Sequence, residues 1–151
     1  MGRFFREPAS GFSHLAGAVL SVAALVSLLC VAISNRDVWQ IVSFSIFGAS
    51  MILLYSASAT YHLVNASDKV VKILQKIDHS MIFVLIAGTY TPICLTLLRG
   101  RLGYWLLALI WSCAAAGIVM KMFFFDIPRL LYTGIYLIMG WIAVFVIVPL
   151  Y

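Results

Sequence analysis

Apolar positions run almost unbroken through this chain, and short polar breaks divide them. A helix needs about 20 apolar residues to cross a bilayer core, and five stretches reach that length. They predict spans at about 13–33, 38–62, 78–98, 103–124 and 130–150. The breaks are Ser34-Asn35-Arg36-Asp37, a polar stretch from Asn65 to Ile77, Arg99-Gly100-Arg101, and Asp126-Ile127-Pro128. No repeat, low-complexity tract or linker separates them, so the reading is a single all-α membrane domain over 1–151.

Within the runs, small residues cluster at Ser45, Gly48 and Ala49 and at Ala114-Ala115-Ala116-Gly117. Such patches let membrane helices approach closely. Trp39, Tyr104, Trp105, Tyr132 and Tyr151 fall near span ends, as an interfacial aromatic belt would. Gly88-Thr89-Tyr90-Thr91-Pro92 interrupts the third run. Pro92 has no N–H for the Gly88 carbonyl and crowds that turn, so a kink is expected there. The Thr89 and Thr91 hydroxyls are candidates to satisfy the freed backbone groups.

Composition agrees with the pattern. The chain is 64% hydrophobic with a mean hydropathy of +1.10, where a soluble domain is roughly half apolar. Too little polar surface remains to coat a globule. The charges that make up the net +5 cluster at the N-terminus and between or near the ends of the apolar runs, so they set orientation and do not indicate a nucleic-acid partner. With the N-terminus cytoplasmic, Arg3, Arg6, Lys69, Lys72, Lys76, Lys121 and Arg129 lie inside, seven in all, against Arg36, Arg99 and Arg101 outside. The positive-inside rule favours this arrangement, that of a multi-pass protein of the cell inner (plasma) membrane. The first run lacks a small-residue cleavage site and reads as a span rather than a removed signal. Cys30, Cys94 and Cys113 each sit inside an apolar run and read as inert core thiols, not a disulfide framework.

Two polar segments carry the candidate chemistry. Ser58-Ala59-Thr60-Tyr61-His62 closes the second run, and Asp78-His79-Ser80 opens the third. A short connection makes those helices antiparallel, so both segments meet at one membrane face. In that topology His14, His62 and His79 all fall at one depth. Polar and ionisable groups are costly there and mark a functional site by default. Ser58 and His62 are four apart and share a helix face. His62 can offer a ring nitrogen to a metal, and Ser58 can bond a metal-activated water or a substrate carbonyl. The alternative is that Ser58 bonds the carbonyl one turn back and His62 is interfacial. Asp78 suits an N-cap, and it also suits orienting a water or acting as general base. His79 points about 100° away on a helix and is a weaker ligand candidate. His14, near the start of the first run and after Glu7, is more ambiguous, with Glu7 either reaching back to the interface or balancing Arg3 and Arg6. A catalytic zinc takes three protein ligands. His62 and Asp78, with His79 and His14 behind them, are an incomplete set, and no HExxH or second HxxxH pair is present.

Taken together, Glu7 with Ser13-His14, Ser58-x-x-x-His62, Asp78-His79-Ser80 and Ile86-Ala87-Gly88-Thr89-Tyr90-Thr91-Pro92 resemble the bacterial hemolysin III family. That family belongs with the progestin and adipoQ receptors, which include the adiponectin receptors. The resemblance implies seven membrane helices with the N-terminus inside and a zinc ion near the cytoplasmic side. It implies His62 as a zinc ligand, Ser58 beside it, and Asp78 close to the zinc-activated water. It places the other two zinc histidines in an HxxxH motif of a seventh helix, which this chain lacks, so the chain reads as the first five of seven helices. The activity implied is a zinc-dependent hydrolase of a lipid amide or ester, ceramidase-like, with Asp78 taking the water's proton and Ser58 holding the oxyanion. The alternatives are a pore-forming cytolysin, as the family name implies, and a non-catalytic metal-dependent receptor or homeostasis protein. Membrane lipids are the expected partners, and a homo-oligomer is a further expectation.

Overall fold

The structure is a computed structural model that describes residues 5–123 and 129–147. Its helices are α1 (Pro8–Ser34), α2 (Val38–Leu63), α3 (Asp68–Pro92), α4 (Arg101–Phe123) and α5 (Arg129–Ile147). A π-helical segment, Ile93–Leu97, extends α3. No strand occurs among the described residues. Four helices are long and apolar enough to cross a membrane, the third as Asp68–Leu97. The fifth is an apolar helix of 19 residues. The fold is that of an all-α multi-pass membrane protein. Arg3, the break at Asp126-Ile127-Pro128 and Tyr151 lie outside the described residues.

Local chemistry fixes the helix ends. Pro8 occupies the first turn of α1, where a missing N–H costs nothing. Arg36 takes a left-handed φ of 53° in the tight α1–α2 turn. Asp37 then caps α2, accepting from the Trp39 N–H at 2.9 Å. At that same membrane end the Arg99 guanidinium lies 4.7 Å from the Trp39 ring centre, and Tyr104 lies 6.1 Å from Trp39, centroid to centroid. At the opposite end Lys121 Nζ sits 3.9 Å over the Tyr132 ring. Trp39 and Tyr104 thus lie together at one end of the helices and Tyr132 at the other.

The third helix corrects the sequence reading. It begins at Asp68, with Ser67 at its N-cap position, ten residues before Asp78. Asp78 is therefore inside the helix and is not its N-cap. An apolar run marks the membrane-embedded part of a helix, whereas Val70, Val71, Ile73 and Leu74 carry the helical spacing outward through the charged stretch.

Helix α3 is the hub: α2, α4 and α5 all pack on it. Phe83, Ala87 and Tyr90 from α3 and Cys94 from its π-helical extension join Ile110 and Ala114 from α4 in one buried cluster. Two of the close glycine contacts involve α3 and leave no room for a larger residue. A Cβ on Gly88 would overlap the Ser50 side chain of α2, and one on Gly117 of α4 would overlap the Phe83 ring. Phe83 also packs on Tyr136 of α5, with ring centres 4.5 Å apart. Tyr90 donates its hydroxyl to the Met139 carbonyl at 2.5 Å, and Tyr136 donates to the His79 carbonyl at 2.9 Å. Both bonds tie α5 to α3.

The proline takes effect on its C-terminal side. The helix widens into the π turn after Pro92, a form common where the regular ladder is interrupted. Thr89 and Thr91 donate to Leu85 and Ala87 at 2.8 and 2.9 Å, and neither serves the Gly88 carbonyl that the proline frees. Of the three thiols only Cys94 is buried, while Cys113 is half-buried and Cys30 exposed.

These contacts generate two stability predictions, both read as thermal unfolding in detergent. Gly88→Val overpacks the α2–α3 contact and is expected to cost about 1–3 kcal/mol, whereas Gly134→Ala, with nothing within 4 Å of its Cβ position, leaves the midpoint unchanged. Equal effects at the two glycines would refute the close-contact argument. Phe83→Ala empties a site closed on α4 and α5 and is expected to cost about 3–5 kcal/mol.

Candidate functional site

Polar side chains inside a membrane protein must be satisfied or they cost free energy. The buried polar residues are Ser21, Ser43, Ser50, Ser58, Asp78, Ser80 and Thr91. Four return their hydroxyls to their own helix: Ser21 to Gly17, Ser43 to Gln40, Ser50 to Phe47 and Thr91 to Ala87, at 2.6–3.2 Å. Ser58, Asp78 and Ser80 do not. The hydroxyl of Ser80 is fully enclosed without a partner. The back-bonded reading of Ser58 is thereby excluded.

The contact of Gly88 with Ser50 fixes where these groups stand. Measured from it, Asp78 lies ten residues back along α3, and Ser58 and His62 lie eight and twelve residues on along α2. In an antiparallel pair at about 1.5 Å per residue, all three fall within about 3 Å of one level. At about 100° per residue, Asp78 and Ser58 each turn about 80° from the contact line and His62 about 120°, all in the same sense. Equal senses in antiparallel helices face the same side, so the three residues share one flank of the α2–α3 pair. Ser80 turns about 80° the other way and lies on the opposite flank.

His62 is held by the N-terminal segment. Its Nδ1 lies 2.7 Å from Glu7 Oε2, and its carbonyl accepts from the Glu7 N–H at 2.9 Å. With the Nδ1 proton directed at the carboxylate, the lone pair is on Nε2, and no hydrogen bond occupies that nitrogen among the described residues. Arg6 supports Glu7, with Nη2 at 3.6 Å from Oε1, and stacks over the Tyr61 ring at 4.1 Å. Glu7 is half exposed, so these pairs contribute about 1 kcal/mol or less to stability. Their effect is on the direction of the ring.

His14 stacks on His62 with ring centres 5.5 Å apart and an interplanar angle of 27°. Its Nδ1 is buried without a hydrogen bond. His79 turns the other way. It lies nine residues before Gly88, about 180° from the α2 contact, and its ring is 6.4 Å from Tyr132 of α5, centroid to centroid. It is thus separated from His62 by the body of α3. Tyr136 donates its hydroxyl to the carbonyl of His79, the residue after Asp78. The sequence carries no signal for Tyr136 as a neighbour of this site, because it is one of several aromatics in a continuous apolar run.

Among the described residues no three of His, Cys, Asp and Glu form a group that could hold a metal ion. The donor set fits one imidazole ligand, His62, with its orienting carboxylate and a second carboxylate, Asp78, on the same flank. It does not fit a complete coordination shell.

Comparison with known proteins identifies the family. The haemolysin-III-related family matches residues 3–151. A Hemolysin-3 homolog of Bacillus subtilis (strain 168) is 48% identical over 145 residues, which covers 96% of this chain and 68% of the relative. Hemolysin-3 of Bacillus cereus is 43% identical over 152 residues, covering all of this chain and 69% of the relative. No solved structure matches. Helices, polar segments and matched residues converge, and the chain belongs to the haemolysin-III-related family of multi-pass membrane proteins.

Proposed function

We propose that this protein is a zinc-binding membrane hydrolase of a lipid amide or ester, seated in the inner membrane with its N-terminus and site at the cytoplasmic side. The observation that carries the reading is the shared flank of Ser58, Asp78 and His62, where two buried polar groups without partners stand beside an imidazole whose orientation is fixed. Neither side chain is hydrogen-bonded among the described residues, which leaves both able to take a ligand or water between them. The arrangement in which a carboxylate holds one ring nitrogen while the other faces a metal is a common way to orient such a ligand.

In this reading His62 presents Nε2 as one ligand, and the remaining ligands come from outside the described residues. Zinc, when bound, supplies Lewis acidity that brings a water's pKa toward about 7. Asp78 accepts the proton of the attacking water. Ser58 donates its hydroxyl to the carbonyl oxygen as charge develops on it. The apolar flanks of α2 and α3 admit an acyl chain and exclude bulk water. Glu7 and Arg6 keep His62 aligned, and His14 supports the ring by stacking.

The relatives' name, Hemolysin-3, supports a second reading, membrane lysis. It is separable, since a lytic protein would keep its activity without Asp78. Erythrocyte lysis that persists in purified Asp78→Asn would favour lysis over hydrolysis.

Two measurements test the first reading. Zinc content, measured on detergent-purified protein that includes the ligand-bearing seventh helix the family resemblance implies, is expected at about one per protein, lost in His62→Ala and weakened about 10- to 100-fold in Glu7→Gln. Zinc retained in His62→Ala would refute the ligand assignment. Hydrolysis of a short-chain ceramide is expected to fall about 10²- to 10⁴-fold in Asp78→Asn with zinc content and unfolding midpoint preserved. Unchanged hydrolysis in that variant would remove Asp78 from the chemistry.

A further inference from the structure

Helix α3 is longer than the membrane it crosses. The helical run Asp68–Leu97 has 30 residues, about 45 Å at 1.5 Å per residue, against a hydrocarbon core of about 30 Å. The excess lies at its N-terminal end. After His79 the next charged residue is Arg99, so the stretch between them fills the core, while Asp68, Lys69, Lys72 and Lys76 lie in the turns before it. Those turns stand at headgroup level.

Two side-chain stripes run along them. Lys69, Lys72 and Lys76 fall within about 60° of one another around the helix. Val70, Ile73 and Ile77 form a second stripe beside them, with Val70 41% and Ile73 47% exposed. Lys76 is committed to the protein, donating to the Met122 carbonyl at the end of α4 at 2.6 Å. Lys69 and Lys72 lie beyond that point, exposed, with no ion pair or hydrogen bond among the described residues. The nearest acid on the same turns is Asp68, and no ion pair forms between it and either lysine.

We infer that the first turns of α3 are a docking surface for anionic phospholipid, with Lys69 and Lys72 on the headgroup phosphates and Val70 and Ile73 against the upper acyl chains. Charge complementarity selects the occupant. Uncommitted ammonium groups beside an exposed apolar stripe match a surface that is negative outside and apolar beneath. A zwitterionic lipid offers the same apolar part without the net charge. The surface does not depend on a metal or on hydrolysis.

The test is lipid selection by the whole protein. Reconstitution in an equimolar mixture of phosphatidylglycerol and phosphatidylcholine, followed by gentle extraction, gives the ratio of the two lipids that remain bound. Wild type is expected to retain phosphatidylglycerol in excess, and K69Q/K72Q is expected to lose about 10- to 30-fold of that preference. K69R/K72R keeps the charge and is expected to keep the preference. Arg101→Gln, at the other membrane face, is expected to be neutral. High salt during extraction should weaken the wild-type preference. The inference is overturned if K69Q/K72Q selects phosphatidylglycerol as wild type does. It is equally overturned if wild type shows no preference, which would make the stripe a solvated face or one covered by protein. Matching unfolding midpoints of wild type and K69Q/K72Q in phosphatidylcholine alone separate lost binding from lost folding, and a lowered midpoint hands the decision to K69R/K72R against wild type.

Discussion

The seating of Gly88 against Ser50 is the constraint on which the rest depends. Lipid tails are as apolar as the helices, so membrane helices associate through close packing rather than through expulsion of water. A glycine at the crossing lets the α3 backbone approach α2 until the Ser50 side chain fills the place of the missing Cβ. That contact sets the register of the antiparallel pair, and register sets chemistry. A slip of one residue along either helix would rotate Asp78 or Ser58 by about 100° and take it off the shared flank. Phe83 repeats the device on the other side of α3, closing on Gly117 and Tyr136. Helix α3 is thus clamped in rotation from both sides.

Within that frame the polar residues divide into two kinds. Ser21, Ser43, Ser50 and Thr91 spend their hydroxyls on their own backbone and cost the membrane little. Ser58 and Asp78 are also buried residues, yet neither is hydrogen-bonded among the described residues. They stand at the level of His62, whose ring is itself directed from α1 by Glu7. A protein stabilised only by packing gains nothing from this arrangement. A site that binds something polar between helices requires it.

Much of this was legible in the chain. The ends of α1 and α2 follow from Ser34-Asn35-Arg36-Asp37, because a polar turn with an N-capping aspartate is local chemistry. The small-residue patches at Gly48 and Gly117 meet Leu25 and Phe83, as close-packing stretches should. The sharing of a face by Ser58 and His62 needed only helical spacing. The start of α3 was not legible, because hydropathy reports where a helix enters lipid and not where it begins. That error made Asp78 look like a cap. The separation of His79 from its neighbour follows from rotation about α3, and the direction of that rotation was unknown until Gly88 was seen against Ser50. Glu7 was ambiguous in sequence because 55 residues separate it from His62, and Tyr136 gave no signal at all.

One helix therefore carries three tasks along its length. Its middle, from Phe83 to Cys94, is the packed core. One turn outward, Asp78 faces the candidate site. Beyond that, Lys76 holds the end of α4, and Lys69 and Lys72 stand exposed on the first turns. The order matters because a rigid helix transmits position. The depth of Asp78 is set jointly by the packing below it and by the interfacial turns above it, with no loop between them to absorb a shift. A helix that began at Asp78, as the apolar run alone suggested, would leave the carboxylate on a fraying end. Starting ten residues earlier places it in a continuous ladder of backbone hydrogen bonds, where its position relative to Ser58 and His62 is fixed before any ligand arrives.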